Sequence, residues 1–319
     1  MLLGLLGLGF VGLLVWRAGW KEILTALRAT DPGILPLLLS LQVITLLLCA
    51  GQLWYVLRCS GIELPFFKVF AVYMTGSFVE SVTPSLKFGG EATKVYLLKQ
   101  QTRVDYQRLT GAFVVYKLLS LTSFVLLFVL SAGVLYRRMA LNLLTHAVTV
   151  LVLLAALGGC LLMGRSRAAS EVSPSDARGV SKVRRFISQS LYYARTSVAP
   201  RHMATMLAVW ICIWLLYPTK LMIVALSLGL RPAMVPLAAS LYAGYVVSML
   251  PLAPGGLGSF EGSLVFLLGR LAIIPQTALA MVLILRLATY WFPLLPAGYC
   301  ARRLLLLQCK QPEPQPISV

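Results

Sequence analysis

Long apolar runs separated by short polar ones dominate the chain, and their lengths set the first reading. Runs 34–57, 109–136, 139–163, 203–230 and 271–301 are each long enough to cross a bilayer as a helix. About 30 Å of hydrocarbon takes about 20 residues at about 1.5 Å per residue. Runs 34–57 and 139–163 carry no charge, and the other three carry one each: Lys117, Lys220 and Arg286. Residues 1–16 are also apolar and uncharged, with no basic start and no small-residue cleavage site, which predicts an uncleaved first helix continuing past Trp16. Trp20, Ile23, Leu24 and Leu27 then recur at helical spacing over 17–33, as in a helix lying along the interface.

Two further runs, 66–86 and 231–252, are shorter, and each ends in a Pro/Gly-rich stretch. The first continues T-P-S-L-K-F-G-G-E (Thr83 to Glu91) and the second L-P-L-A-P-G-G-L-G-S-F-E-G (Leu250 to Gly262). Short helical runs follow each, over 92–101 and 262–274. Irregular backbone at membrane depth is tolerated only inside protein or beside water. The pattern therefore predicts two broken, re-entrant helix pairs, with turns at Pro84, Gly89 and Gly90 and at Pro254, Gly255, Gly256 and Gly258. The two halves match in order: span 34–57, broken pair 66–101, span 109–136, against span 203–230, broken pair 231–274, span 276–301. Glu91 precedes Lys117 by 26 positions and Glu261 precedes Arg286 by 25. That shared spacing is the sequence's clearest internal repeat.

Composition narrows the class. Of 319 residues 59% are apolar and 12% charged, against about 25% charged in a soluble domain. Mean hydropathy is +0.85. An ordinary soluble enzyme, a disordered chain and a disulfide-stapled module are excluded. The six cysteines lie in or beside apolar runs without a C-x-x-C pair and read as packing residues. No polar stretch is long enough to fold alone, so 1–319 reads as one integral membrane domain. Repeat 1 covers about 34–136 and repeat 2 about 203–303. A basic cytoplasmic loop covers 164–202, and a disordered tail 311–319.

The net charge of +18 would suggest nucleic acid in a soluble protein. Here the basic residues sit between apolar runs, as cytoplasmic loops require, and an anionic leaflet is the simpler partner. With loop 164–202 in the cytoplasm and 66–101 dipping in from that side, the two repeats run in opposite directions. Cytoplasmic segments then hold 18 Lys/Arg and outer segments seven. Full spanning by 66–86 is the alternative, and it would put 17–33 inside. Inverted repeats with discontinuous helices are the build of alternating-access transporters, whose sites lie near the midplane.

A charge in hydrocarbon is retained when it pairs or meets water. Lys117 and Arg286 are deepest in their runs and, with Lys94 and Lys220, are the candidates for binding a lipid headgroup. Arg clamps a phosphate bidentately, and Lys acts as a point charge. Glu91, Glu261 and Glu80 are the candidates for charge compensation or coupling. The competing reading makes Glu91–Lys117 and Glu261–Arg286 structural pairs that hold the broken helices. No catalytic residue, metal site or cofactor is predicted. His146 and His202 stand alone, G-G-L-G-S-F-E-G is not a dinucleotide fingerprint, and no phosphate-loop lysine motif occurs.

The stretch T-P-S-x-x-x-G-G-E-x-x-K-x-Y-L-L (Thr83 to Leu98) resembles a signature of the lysylphosphatidylglycerol synthase transmembrane-domain family. The later P-x-x-P-G-G-L-G-S-F-E-G (Pro251 to Gly262) and L-R-L-A-T-Y-W-x-P (Leu285 to Pro293) are similar to its other hallmarks. The resemblance covers nearly the whole chain. It implies a polytopic, flippase-like domain in the bacterial cytoplasmic membrane. In the family's bifunctional members that domain moves aminoacylated phosphatidylglycerol outward and weakens cationic antimicrobial peptides. Those members add a soluble lysyltransferase domain, for which the 16 residues after Arg303 leave no room. Lys at 94 and 117 stands where Arg is expected in relatives.

The expectation is an all-α polytopic membrane protein of about six spanning helices and two re-entrant pairs arranged as inverted repeats. It would translocate a phospholipid or other amphipathic lipid. Its partners would be membrane phospholipids and, in one variant, a separate lipid-modifying synthase anchored by the basic loop. The rival reading is a membrane-embedded lipid aminoacyl- or glycosyl-transferase.

Overall fold

The computed structural model describes residues 33–83, 88–102, 104–139, 186–187, 189–194, 198–250 and 253–308, with Thr25 and Asp31. The expected first helix, the interfacial helix, span 139–163, most of the basic loop, the tail, Pro84 and Lys87 lie outside the described residues. The described part is all helical, with no strand among its residues.

Helix α1 is Ile34–Cys59, α2 Phe66–Val82, α3 Phe88–Gln101 and α4 Tyr106–Met139. Helix α5 is Pro200–Ser227, α6 Met234–Ser248, α7 Ser259–Gly269, α8 Pro275–Arg286 and α9 Phe292–Gln308. A single 3-10 turn, Pro254–Gly256, joins α6 to α7, and a π turn, Leu287–Trp291, runs α8 into α9. Four stretches are long and apolar enough to cross a membrane: Ile34–Cys59, Tyr106–Gly133, Arg201–Ser227 and Pro275–Leu304. The helices between them are shorter. At 17, 14, 15 and 11 residues, α2, α3, α6 and α7 each fall short of about 30 Å. They pack as hairpins, α2 on α3 and α6 on α7.

Local chemistry explains the boundaries. Asp31 accepts the Gly33 N–H at 2.8 Å just before α1 begins. Pro200 and Pro275 open α5 and α8 at the first helical position, where a missing N–H costs nothing. Helix α1 ends in a turn whose Gly61 has φ +70°. Within α5, Pro218 has no N–H for the carbonyl of Trp214, four residues back. The Tyr242 hydroxyl of α6 donates to that carbonyl at 3.1 Å. The Trp214 indole in turn donates to the Ser120 carbonyl of α4 at 3.0 Å.

The helix contacts fall into reciprocal pairs. Helix α2 packs on α9 as α6 packs on α4, α1 on α4 as α5 on α8, and α3 on α4 as α7 on α8. Helix α4 meets α5 as the π turn meets α1. Helices α1 and α5, the first of each half, lie against each other and run antiparallel. Gln52, late in α1, donates to the Met206 carbonyl, early in α5, at 3.0 Å. Lys220, late in α5, donates to Gln42 and Thr45, early in α1, at 2.6 and 2.8 Å. Equivalent helices that meet antiparallel are related by an axis across them, so the halves are inverted with respect to one another. One apolar core, including Leu53, Val72, Leu98, Tyr116 and Trp210, fills the space among α1–α5. A second, including Leu221, Leu241, Phe260 and Leu285, fills the space among α5–α8.

Candidate site in the bundle interior

Each half places an acid in the first turn of the helix that follows its break. The helix dipole favours a carboxylate there. Each acid then meets the cation of the following span. Glu91 of α3 pairs with Lys117 of α4 at 2.6 Å, and Glu261 of α7 pairs with Arg286 of α8 at 2.7 Å. The spacing that repeats in the sequence thus returns as the same pair in space.

The second-half pair is closed. Glu261 Oε2 accepts the Gly258 N–H at 2.7 Å while Oε1 faces Arg286. Arg286 also donates to the Gly255 carbonyl at 3.3 Å and to that of Gly256 at 3.2 Å. Its guanidinium lies over the Phe260 and Tyr290 rings, 4.3 and 5.0 Å from their centroids. Only 7% of Arg286 is exposed. Gly255, Gly256 and Gly258 have φ of +61°, +66° and +82°. These are left-handed values that side chains resist. The bend therefore rests on glycine conformations held by one arginine.

The first-half pair is open. The Lys117 side chain is 44% exposed and that of Glu91 15%, although Lys117 sits well inside the span Tyr106–Gly133. Glu91 Oε1 also takes Lys94 of its own helix at 2.9 Å. Lys94 is buried and its ammonium lies 5.0 Å from the Tyr73 ring centroid. Glu91 Oε2 is buried and accepts no hydrogen bond among the described residues. Two cations thus share one oxygen. Glu80 lies close by: its side chain crosses Gly90, and it acts electrostatically on Lys117.

Gly89 and Gly90, expected in the first turn, are helical and open α3. Gly90 is needed for close packing instead. A Cβ there would stand 2.8 Å from that of Glu80 and collide with the Gly76 carbonyl. The first half brings two helix backbones together where the second half bends one.

Lys220 does not line an open space. It is fully buried, held by Gln42 and Thr45 and lying 4.8 Å from the Tyr217 ring centroid. Neither partner carries a charge, and neither was singled out by the sequence, since Gln42 and Thr45 sit in an uncharged run. Tyr290 has a place that its aromatic, uncharged surroundings in the sequence do not mark. Its hydroxyl donates at 3.0 Å to the Ser81 carbonyl at the end of α2, and its ring lies against Gly255. It joins the end of α2 to the second break. The four-residue step from Arg286 to Tyr290 was the available signal, because it puts both on one helix face.

The family model for the lysylphosphatidylglycerol synthase TM region matches residues 2–297. The chain belongs to that family. Its relatives include a UPF0104 membrane protein of Methanothermobacter thermautotrophicus, 26% identical over 301 residues, covering 87% of this chain and 85% of the relative. Another, from Pyrococcus horikoshii, is 24% identical over 320 residues, covering 93% and 95%. A third, from Methanocaldococcus jannaschii, is 21% identical over 300 residues, covering 89% and 88%. All three are described as membrane proteins, in keeping with the apolar helices. All three are archaeal, so they lend nothing to the bacterial placement expected from the sequence. Within this synthase-TM family member, the interior ion pairs among the described residues join Glu91 to Lys94 and Lys117, and Glu261 to Arg286.

Proposed function

We propose that the protein moves the headgroup of an amphipathic lipid, phosphate-bearing and anionic or zwitterionic, between the leaflets of the cytoplasmic membrane through its polar interior. The observation that carries this reading is the open cation Lys117, held at mid-span beside Glu91 and Lys94. A charge at that depth costs from about 3 kcal/mol upward unless water or a partner meets it. An ion pair that served packing alone would be closed, as Glu261–Arg286 is. In this reading Lys117 and Lys94 attract the phosphate. Glu91 beside them balances their charge and would favour a headgroup that also carries a cation, such as an aminoacyl ammonium. Arg286 and Lys220 act from within the protein, the first by holding the bend and the second by joining the two halves.

The test uses protein in liposomes with a trace of fluorescent phosphatidylglycerol and an impermeant reductant. Protein-free vesicles bleach by the outer half of the label. Vesicles holding the protein should bleach beyond that half. Lys117→Gln should slow the excess by about tenfold, the size of one charge-assisted hydrogen bond. Bleaching that stops at half, across anionic, zwitterionic and aminoacylated headgroups and with an imposed ion gradient, would overturn the reading.

A further inference from the structure

A second polar site lies away from the interior, at the turn between α1 and α2. Trp54, Arg58, Glu63, Leu64 and Pro65 line a pocket of about 290 Å³. That volume is at the small end for ligand sites and suits a headgroup better than a whole lipid. We infer that this pocket holds the head of a zwitterionic phospholipid, with its phosphate on Arg58 and its ammonium on Glu63.

The pocket is built rather than incidental. The Trp54 indole N–H donates to the Leu64 carbonyl at 2.9 Å, which fixes the pocket wall to its floor. Phe66 packs edge-on against Trp54, with centroids 6.3 Å apart. Arg108, from the start of α4, donates to the Ser60 carbonyl at 2.9 Å, and Ile62 is buried in the core. The turn is thereby held at three points. Arg58 is poised over the Trp54 ring at 5.4 Å. No ion pair joins Arg58 to Glu63 among the described residues, and both are exposed at the pocket, which leaves both charges available to a ligand.

Depth and surroundings select a lipid. The span Ile34–Cys59 ends at this turn, so Trp54 sits where indole rings favour the interface. Phe67 is 81% exposed beside exposed Lys68, at the start of α2. An apolar ring next to a cation is suited to acyl chains and lipid phosphate at the pocket rim. The acid sets the preference: a headgroup with phosphate and no amine would meet the Glu63 carboxylate unpaired. This site is independent of the interior one and does not require transport.

The experiment is native mass spectrometry of the full protein in mild detergent. It is offered equal amounts of dioleoyl phosphatidylethanolamine and dioleoyl phosphatidylglycerol, with or without water-soluble O-phosphoethanolamine. Phosphatidylethanolamine adducts should predominate in the wild type. Glu63→Gln should remove the preference, and Arg58→Gln should weaken both adducts by about tenfold. Both side chains are exposed, so the variants should melt as the wild type does. Equal adducts in the wild type, a preference that survives Glu63→Gln, or adducts undiminished by Arg58→Gln would overturn the proposal. So would binding of O-phosphoethanolamine that depends on Arg58 while lipid adducts stay unaffected, since the ligand would then be soluble. Failure to transport lipid would leave this result untouched.

Discussion

At the scale of single residues, Lys117 and Arg286 divide the work that their matching positions suggest they share. Arg286 spends its guanidinium on Glu261, two backbone carbonyls and two rings. Breaking such a buried pair strands the acid and costs about 3–5 kcal/mol. Lys117 is far more open, and an exposed pair is worth about 1 kcal/mol or less. Arg286→Gln should therefore lower the apparent melting temperature of the purified protein by many degrees, and Lys117→Gln should barely move it. Scanning fluorimetry in detergent reads both. Equal losses would contradict the assignment of a clamp to one and an open site to the other. Arg286→Lys should not restore the wild type, because an ammonium cannot span two carbonyls and a carboxylate or stack over rings.

At the scale of elements, Pro218 inside α5 has the most specific consequence. The proline leaves the Trp214 carbonyl free, and Tyr242 satisfies it from another helix. Tyr242→Phe should cost about 1–3 kcal/mol, as for a buried acceptor left unpaired. In a Pro218→Ala background the restored N–H takes the carbonyl, so the same change should cost much less. A thermal double-mutant cycle measures that coupling, and additive losses would refute the compensation. This contact also shows what the sequence could and could not tell. Helix lengths and the breaks near Thr83 and Pro254 were readable, because uncharged runs and Pro/Gly stretches are local signals. So were the pairs Glu91–Lys117 and Glu261–Arg286, because a repeat brings equal spacings to equal places. The partners of Lys220 and the bond from Tyr242 were not readable. They join residues far apart in the chain, and Gln42, Thr45 and Tyr242 carry no charge to mark them. Gly90 was misplaced for a related reason. A glycine for close helix packing and a glycine for a bend look alike until the facing backbone is known.

At the scale of the molecule, the main helix contacts of one half recur in the other among the described residues, and the first helices of the halves cross antiparallel. Inverted halves let one fold open to either side by the same rocking, which is how such repeats give alternating access. The Tyr290 bond to Ser81 and its ring on Gly255 tie the end of α2 to the second break, so a movement of one hairpin is felt by the other. This arrangement carries a definite sidedness. The turn between α1 and α2, the end of α3 and the start of α5 lie at one end of the bundle, with Arg58, Lys68, Lys99, Arg108 and Arg201. Arg231 and Arg270 lie at the ends of the second half's hairpin. The basic end should face the cytoplasm. The most direct test is labelling of single cysteines, in a cysteine-free background, with an impermeant maleimide on sealed right-side-out vesicles. Arg231→Cys and Arg270→Cys should label from outside. Lys68→Cys and Gln101→Cys, at the two open ends of the first hairpin, should both label only after the vesicles are opened. If Lys68→Cys and Gln101→Cys label from opposite sides, the first hairpin crosses the membrane and the inverted, re-entrant account fails.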